Sequence, residues 1–284
     1  MTGVQTCALP ISAFDEVYDA NGDTQANPQG AVSAMVLGTA IEYGVTDQIT
    51  AAVQWAPGYV FSSSIENDPV PGAQAHAKGL ADLFIGAKFL IVGENGYVKN
   101  DNIRVAFAPG MMIPLEDPDY AAELARALGG EDYKVASPSL QAVGLGFRAY
   151  FDWVLSKMFY INLYNQSIFY LPVTKDAFGA PEAEYEYGYS LTFEVEPHFN
   201  YALSDKVNIG IGVPVNYNMK PEVVVNGTGL GNESYILTIN PGASVFVMAG
   251  LPFEIKGSYS MPLAGKNSNV ASALAFQVKA FLKF

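Results

Sequence analysis

Between Tyr185 and Tyr201 the chain alternates with period two over seventeen residues. Tyr185, Tyr187, Tyr189, Leu191, Phe193, Val195, Phe199 and Tyr201 fall on one side. Glu186, Ser190, Thr192, Glu194, Glu196, His198 and Asn200 fall on the other. Successive side chains of a strand point to opposite faces, so this spacing predicts a β-strand with one apolar and one polar face. The aromatics gather at both ends and the aliphatics lie nearer the middle. Two aromatic girdles around a lipid band predict that order, whereas a soluble core has no reason for it.

The same grammar recurs along the chain. Apolar residues alternate with small or polar ones over 31–43, 49–61, 80–91, 103–113, 140–154, 159–171, 207–217, 235–247, 253–261 and 270–284. With 50% hydrophobic residues, 15% charged and 13% aromatic, and a mean hydropathy of +0.16, the chain is apolar. Yet no run approaches the roughly 18 consecutive apolar residues of a membrane helix. The polar side of the strands is dominated by Gly, Ala, Ser and Asn with sparse charges, which fits a confined interior better than bulk water. Connections alternate in length. Those at 63–78, 114–138, 172–184 and 218–233 are long, and those at 44–47, 155–157, 203–206 and 250–252 are short. Long loops at one end and brief turns at the other are the plan of outer-membrane barrels; 94–101 is longer than that plan asks. Within 114–138, the stretch 120–128 has helical composition.

The last strand, Val270–Phe284, ends the chain on an aromatic. It resembles the terminal strand of bacterial outer-membrane barrels, which implies the barrel-assembly machinery as a partner and outer-membrane lipid as the surroundings. The turn sequences 43–50 (Tyr-Gly-Val-Thr-Asp-Gln-Ile-Thr) and 201–208 (Tyr-Ala-Leu-Ser-Asp-Lys-Val-Asn) are similar to a familiar periplasmic hairpin. Gly79-Leu80-Ala81-Asp82 is similar to a strand entry common in such transporters. Together these resemble the long-chain fatty acid transporter family and its relatives that carry hydrophobic compounds. The amino-terminal plug of that family has no counterpart here. The resemblance implies an all-β, single antiparallel transmembrane barrel in the bacterial outer membrane, passing small hydrophobic solutes. About eleven strands are legible, and single-chain barrels use even numbers, so twelve are expected, or fourteen in the intact protein.

Residues 1–12 (MTGVQTCALPIS) include the only cysteine and resemble a translated sequencing adapter. They have neither the basic start nor the apolar core of a signal peptide. On that basis 1–12 are an artefact, 13–30 a loop remnant and 31–284 the barrel.

The net charge of −13 argues against nucleic acid as a partner, which needs clustered Lys and Arg. His76 and His198 are the only histidines, no His/Cys cluster has metal spacing, and nothing marks a nucleophile elbow. No catalytic residue, metal or cofactor is therefore assigned, and the chain reads as a non-enzyme. Carboxylates in the loop at 114–138 (Glu116, Asp117, Asp119, Glu131, Asp132) match a Ca²⁺ site less well than a solvated loop. Asp82, Lys88, Arg104, Arg148, Asp152, Glu194, Glu196, His198, Glu254, Lys256 and Lys279 all fall on the inward side. They are expected to form either a structural ion-pair network or a polar constriction on the solute path, with Arg148 or Lys256 serving the stripe Glu194–Glu196–His198. Proline removes a ladder donor. Pro57, Pro109, Pro197, Pro214 and Pro241 therefore mark strand kinks, which either bend tall strands or open the wall sideways. A general polar-solute porin and a structural barrel serving as surface antigen or adhesin are the alternatives to hydrophobic transport.

Overall fold

The computed structural model describes the backbone of residues 2–68, 70–248 and 250–283, and all side chains among these except those of 2–7, 56 and 283. Phe284, the terminal aromatic, lies outside the described residues. Twelve antiparallel strands close into a barrel. They are β1 (Thr2–Phe14), β2 (Val32–Gly44), β3 (Ile49–Ile65), β4 (Leu83–Val92), β5 (Ile103–Ile113), β6 (Gly144–Val154), β7 (Phe159–Tyr170) and β8 (Tyr189–Ser204). Next come β9 (Val207–Gly212 continued by Val215–Lys220) and β10 (Ser234–Ile239 continued by Gly242–Val247). β11 (Phe253–Lys266) and β12 (Ser272–Lys283) complete the wall. Each strand pairs with its sequence neighbours, and β1 pairs with β12 to shut the ring, from Thr2↔Lys283 to Ala13↔Ser272. Closure leaves no open edge, which a strand wall in hydrocarbon requires.

The apolar sides face outward. Leu9, Ile41, Val53, Ile85, Phe107, Phe147, Phe193, Ile211, Val245, Ile255, Phe276 and Val278 are all exposed. Their partners in the alternation line the inside. Outward Tyr59, Phe61, Phe169 and Tyr189 ring the end with long connections. Tyr43, Trp153, Phe199 and Tyr201 ring the other. An apolar belt between two aromatic girdles is the lipid-facing surface of a membrane barrel. A sandwich would have buried these residues against one another.

The helix α1 (Tyr120–Leu128) forms where the composition predicts it. Asp119 caps it, its carboxylate accepting from the Ala122 amide at 2.9 Å. α1 packs Ala127 against Tyr133 and Ala75, with Ile65 at the end of β3 and Phe178 around them, in a small apolar cluster. The long loops thus fold on one another at the outer end.

Two features depart from the sequence expectation. Thr2–Phe14, set apart as an artefact and a remnant, occupies the twelfth strand position. This pairing shows where the segment lies and leaves its origin open. The strand read from Tyr185 begins at Tyr189 instead. Tyr185 belongs to a separate hairpin, Val173–Ala177 with Ala180–Glu186. Gly188 turns the chain at φ +59°, which glycine adopts without steric cost. Tyr187 consequently points into the barrel rather than outward. β9 and β10 are each interrupted at the same level, at Pro214 and Pro241, two of the prolines expected to kink strands.

Candidate functional site: the lumen

Inward side chains divide the lumen into an outer chamber, a waist and an inner vestibule. The outer chamber, about 470 Å³, is lined by Met112, Leu140, Tyr170, Tyr187 and Pro57 on its apolar side, and by Asp82, Gln166, Ser190 and Lys220 on its polar side. A strap of the long loop, 137–142, is tied across it. Ser139 donates its hydroxyl to the Asp82 carboxylate, and the Leu140 amide donates to Asp82 Oδ2 at 3.3 Å. Gln141 Nε2 donates to Asp117 at 3.2 Å. Lys175 Nζ donates to the Leu140 carbonyl at 3.1 Å. Behind the strap, Phe84, Met112, Ala142, Ile168 and Tyr170 form a buried cluster.

The waist is built around Arg148 on β6, which is buried. Its guanidinium carbon stands 3.6 Å over the Phe84 ring centre. Nε donates to Gln166 Oε1 at 2.8 Å and Nη1 donates to Gln54 Oε1. Tyr164 donates its hydroxyl to the same Gln166 oxygen at 3.1 Å. Arg148 therefore rests among neutral groups, and no ion pair to it occurs among the described residues. Glu42 is one residue removed: it accepts from Gln54 Nε2 at 2.7 Å and lies 3.8 Å from Lys88. The remaining space beside Arg148, Gln54 and Phe84 is about 10 Å³, too small to leave a passage there. Gly86, Gly110 and Gly146 line the wall beside Phe84 and Ile168, where any Cβ would collide with these side chains or with backbone.

Below the waist two polar recesses open toward the short-turn end. One, about 300 Å³, is lined by Lys88, Arg104, Tyr150, Asp152 and Asn162. Asn162 Nδ2 donates to Asp152 at 2.5 Å, and Asp152 stands beside Arg104 in register. The other, about 550 Å³, contains Glu196, His198, Glu254, Lys256 and Lys279. Glu196 Oε1 lies 3.2 Å from His198 Nδ1 and 3.5 Å from Lys256 Nζ. Glu254 lies 3.5 Å from Lys279. Tyr160 stacks on the His198 ring at 4.7 Å. Gly212 provides the room, because a Cβ there would strike the Glu196 carboxylate.

The two proposed counter-charges for the Glu194–Glu196–His198 stripe thus separate. Lys256 pairs with Glu196, whereas Arg148, two strands from the stripe on the other side, is held in the waist by Gln166 and Gln54. Glu194 sits between Tyr164 and Asn216 in register. Phe84, Tyr187 and Gln54 are central to the lumen, yet Phe84 was not assigned inward and Tyr187 was assigned outward. The loop carboxylates have protein partners: Glu116 with Lys134 and Ser137, Asp117 with Gln141, Glu131 with Arg126 at 3.5 Å. Among the described residues no three metal-ligating groups converge.

The prolines differ in effect. Pro109 sits in β5 without a register shift. Around Pro57 the β2–β3 register slips between Leu37 and Thr39, and the β3–β4 ladder stops at Gln54↔Phe84. Trp55 Nε1 and the Ala81 amide bridge the gap, donating to the Ala81 and Gly58 carbonyls at 2.9 and 2.8 Å. At the Pro214/Pro241 seam the wall stays bonded. Val213, Asn240 and Tyr259 donate their amides to the carbonyls of Pro197, Pro214 and Pro241 at 3.2, 2.8 and 3.0 Å.

Among solved structures, the COG4313 outer membrane channel from Pseudomonas putida F1 superposes with a TM-score of 0.74 at 14% identity, over 99% of this chain and 95% of that one. This is the outer-membrane β-barrel fold. The NanC porin (TM-score 0.44, 6% identity, 97% and 100% covered) and a Pseudomonas aeruginosa FadL homologue (0.42, 10%, 100% and 90%) are more distant likenesses. No family model matches the chain, and no curated protein matches it in sequence.

Proposed function

We propose that the barrel passes small hydrophobic molecules, fatty acids among the candidates, passively across the outer membrane. The observation that carries this is the outer chamber: about 470 Å³, lined largely by Met112, Leu140, Tyr170, Tyr187 and prolines. It sits above a waist filled by Phe84 and Arg148. Apolar walls with a few placed polar groups are the chemistry of a small-molecule site. Pro57, where the β3 ladder is interrupted on both sides, lines the same chamber. A hydrophobic solute can then leave sideways into the bilayer rather than cross the charged vestibule. The inner charges Arg104, Asp152, Glu194, Glu196, His198, Glu254 and Lys256 would serve as the polar lining below that exit.

The polar-solute porin is the second reading, and the two charged recesses of the inner vestibule favour it. Uptake of a fatty acid and of a neutral aromatic hydrocarbon by barrel-expressing cells, beside sugar-driven swelling of proteoliposomes, separates the two. Hydrophobic uptake with little swelling supports the proposal; swelling without hydrophobic uptake supports the porin.

A further inference from the structure

The hairpin Val173–Ala177/Ala180–Glu186 hangs Lys175 into the outer chamber's wall. Its ammonium stands 5.1 Å from the Tyr187 ring centre and 5.3 Å from that of Tyr185, and it donates to the Leu140 carbonyl at 3.1 Å. The two rings stack at 6.3 Å, and Tyr170 meets Tyr187 edge-on at 6.4 Å. Asp82, Leu140, Tyr170 and Tyr187 also line the chamber. Aromatic faces, a carbonyl and a nearby carboxylate are together the groups that recognise an ammonium ion. The protein's own lysine fills that seat.

The surroundings favour the same sign of charge. Most of the chain's 28 acidic residues lie in the long connections at this end. Such a field concentrates cations at the mouth and repels carboxylates. Arg148 bonds to the chamber-lining Gln166, its partner in register, so a cation reaching the chamber meets a positive stop at its floor.

We propose that the outer chamber holds a binding seat for organic ammonium groups, formed by Tyr185, Tyr187 and the Leu140 carbonyl, and that Lys175 is its tethered occupant. The proposal rests on the outer chamber being reachable from outside, as the transport reading requires, but not on transport itself.

Choline, 3,3-dimethylbutan-1-ol and 3,3-dimethylbutanoate share one branched skeleton and differ in charge. Calorimetric titration of each into the purified barrel in nonionic detergent tests the seat without any transport step. Lys175→Met empties the seat and is expected to strengthen choline binding about tenfold, the scale of a desolvated cation–π contact, while the alcohol and the carboxylate stay unchanged. Tyr187→Leu added to Lys175→Met should abolish that gain, and Tyr187→Phe should keep it. Lys266→Met removes an outer positive charge elsewhere and should leave choline within about twofold of the parent. Lys175→Gln provides a second emptied variant if Lys175→Met does not fold. Equal binding of the three probes by the emptied variants, or a gain that Lys266→Met reproduces, overturns the seat. Loss of hydrocarbon uptake with the choline result intact would instead count against the transport reading alone.

Discussion

At the scale of single residues the waist is the decisive element. Arg148 is held by two amides and a ring, with no carboxylate among the described residues paired to it. Arg148→Met keeps much of the volume and removes the donors and the charge. Single-channel conductance in planar bilayers should rise at least severalfold if Arg148 sets the constriction; unchanged conductance would place the narrowing elsewhere. Gly58 offers a second test. Its φ is +95° and an added Cβ would strike the Leu37 carbonyl. Gly58→Ala should destabilise the folded barrel by about 1–3 kcal/mol, read as a lower urea midpoint in folding titrations. Arg148 and Gln166 were legible as inward from alternation alone. Phe84 was not, because period two only says that an apolar residue on the wet side is out of place. What places it inward is an arginine two strands away in the wall, β4 to β6, which no local pattern encodes.

At the scale of elements, the outer loops fold as a unit that titrates. Burial pushes the Asp68 carboxyl up, but bonds from Tyr133, Val70 and Ala75 outweigh it and hold it below its ordinary value. Burial, and then Lys78, lower the His76 imidazole. Burial, followed by Asp68, drives the Tyr133 phenol up to about 12. For both Asp68 and His76 the unfolded loop binds more protons. Each therefore stabilises the folded loops above its unfolded pKa and loses that contribution as pH falls through its folded value. Loop order should hold near pH 7, weaken below about 6.5 as His76 protonates, and fall again below about 4 with Asp68. Cysteine labelling at Ala73 across this range measures it. His76→Gln should flatten the first step and Asp68→Asn the second; pH-independent labelling would show that these groups do not hold the loops. The helix 120–128 was legible from composition. The corner at Gly188 was not, since Tyr185, Tyr187 and Tyr189 continue an unbroken alternation and only one glycine marks the turn. That corner moves Tyr187 from the lipid belt to the chamber.

For the whole molecule, closure and the direction of the apolar faces determine everything else. Eleven of the twelve strands, the ordering of long and short connections and the girdles follow from alternation and turn chemistry, and the sequence shows them. The partner of β12 is another matter. Pairing across the full length of the chain leaves no local trace, so the role of Thr2–Phe14 in shutting the ring appears only in three dimensions. A charge on the outer face should be costly and one on the inner face tolerated. Phe193→Arg is expected to cost about 2–4 kcal/mol near the bilayer midplane, and the adjacent Thr192→Arg much less, in matched folding titrations into lipid.

The most direct test uses spin labels at neighbouring positions of three strands in liposomes: Phe193, Ile255 and Phe276 against Thr192, Lys256 and Gln277. Relaxation by oxygen, which concentrates in hydrocarbon, is compared with relaxation by a water-soluble nickel chelate. The first set should respond to oxygen and the second to nickel, strand after strand. Labels at Phe193, Ile255 and Phe276 that are shielded from oxygen, as in two sheets packed face to face, would contradict the barrel and the transport built on it.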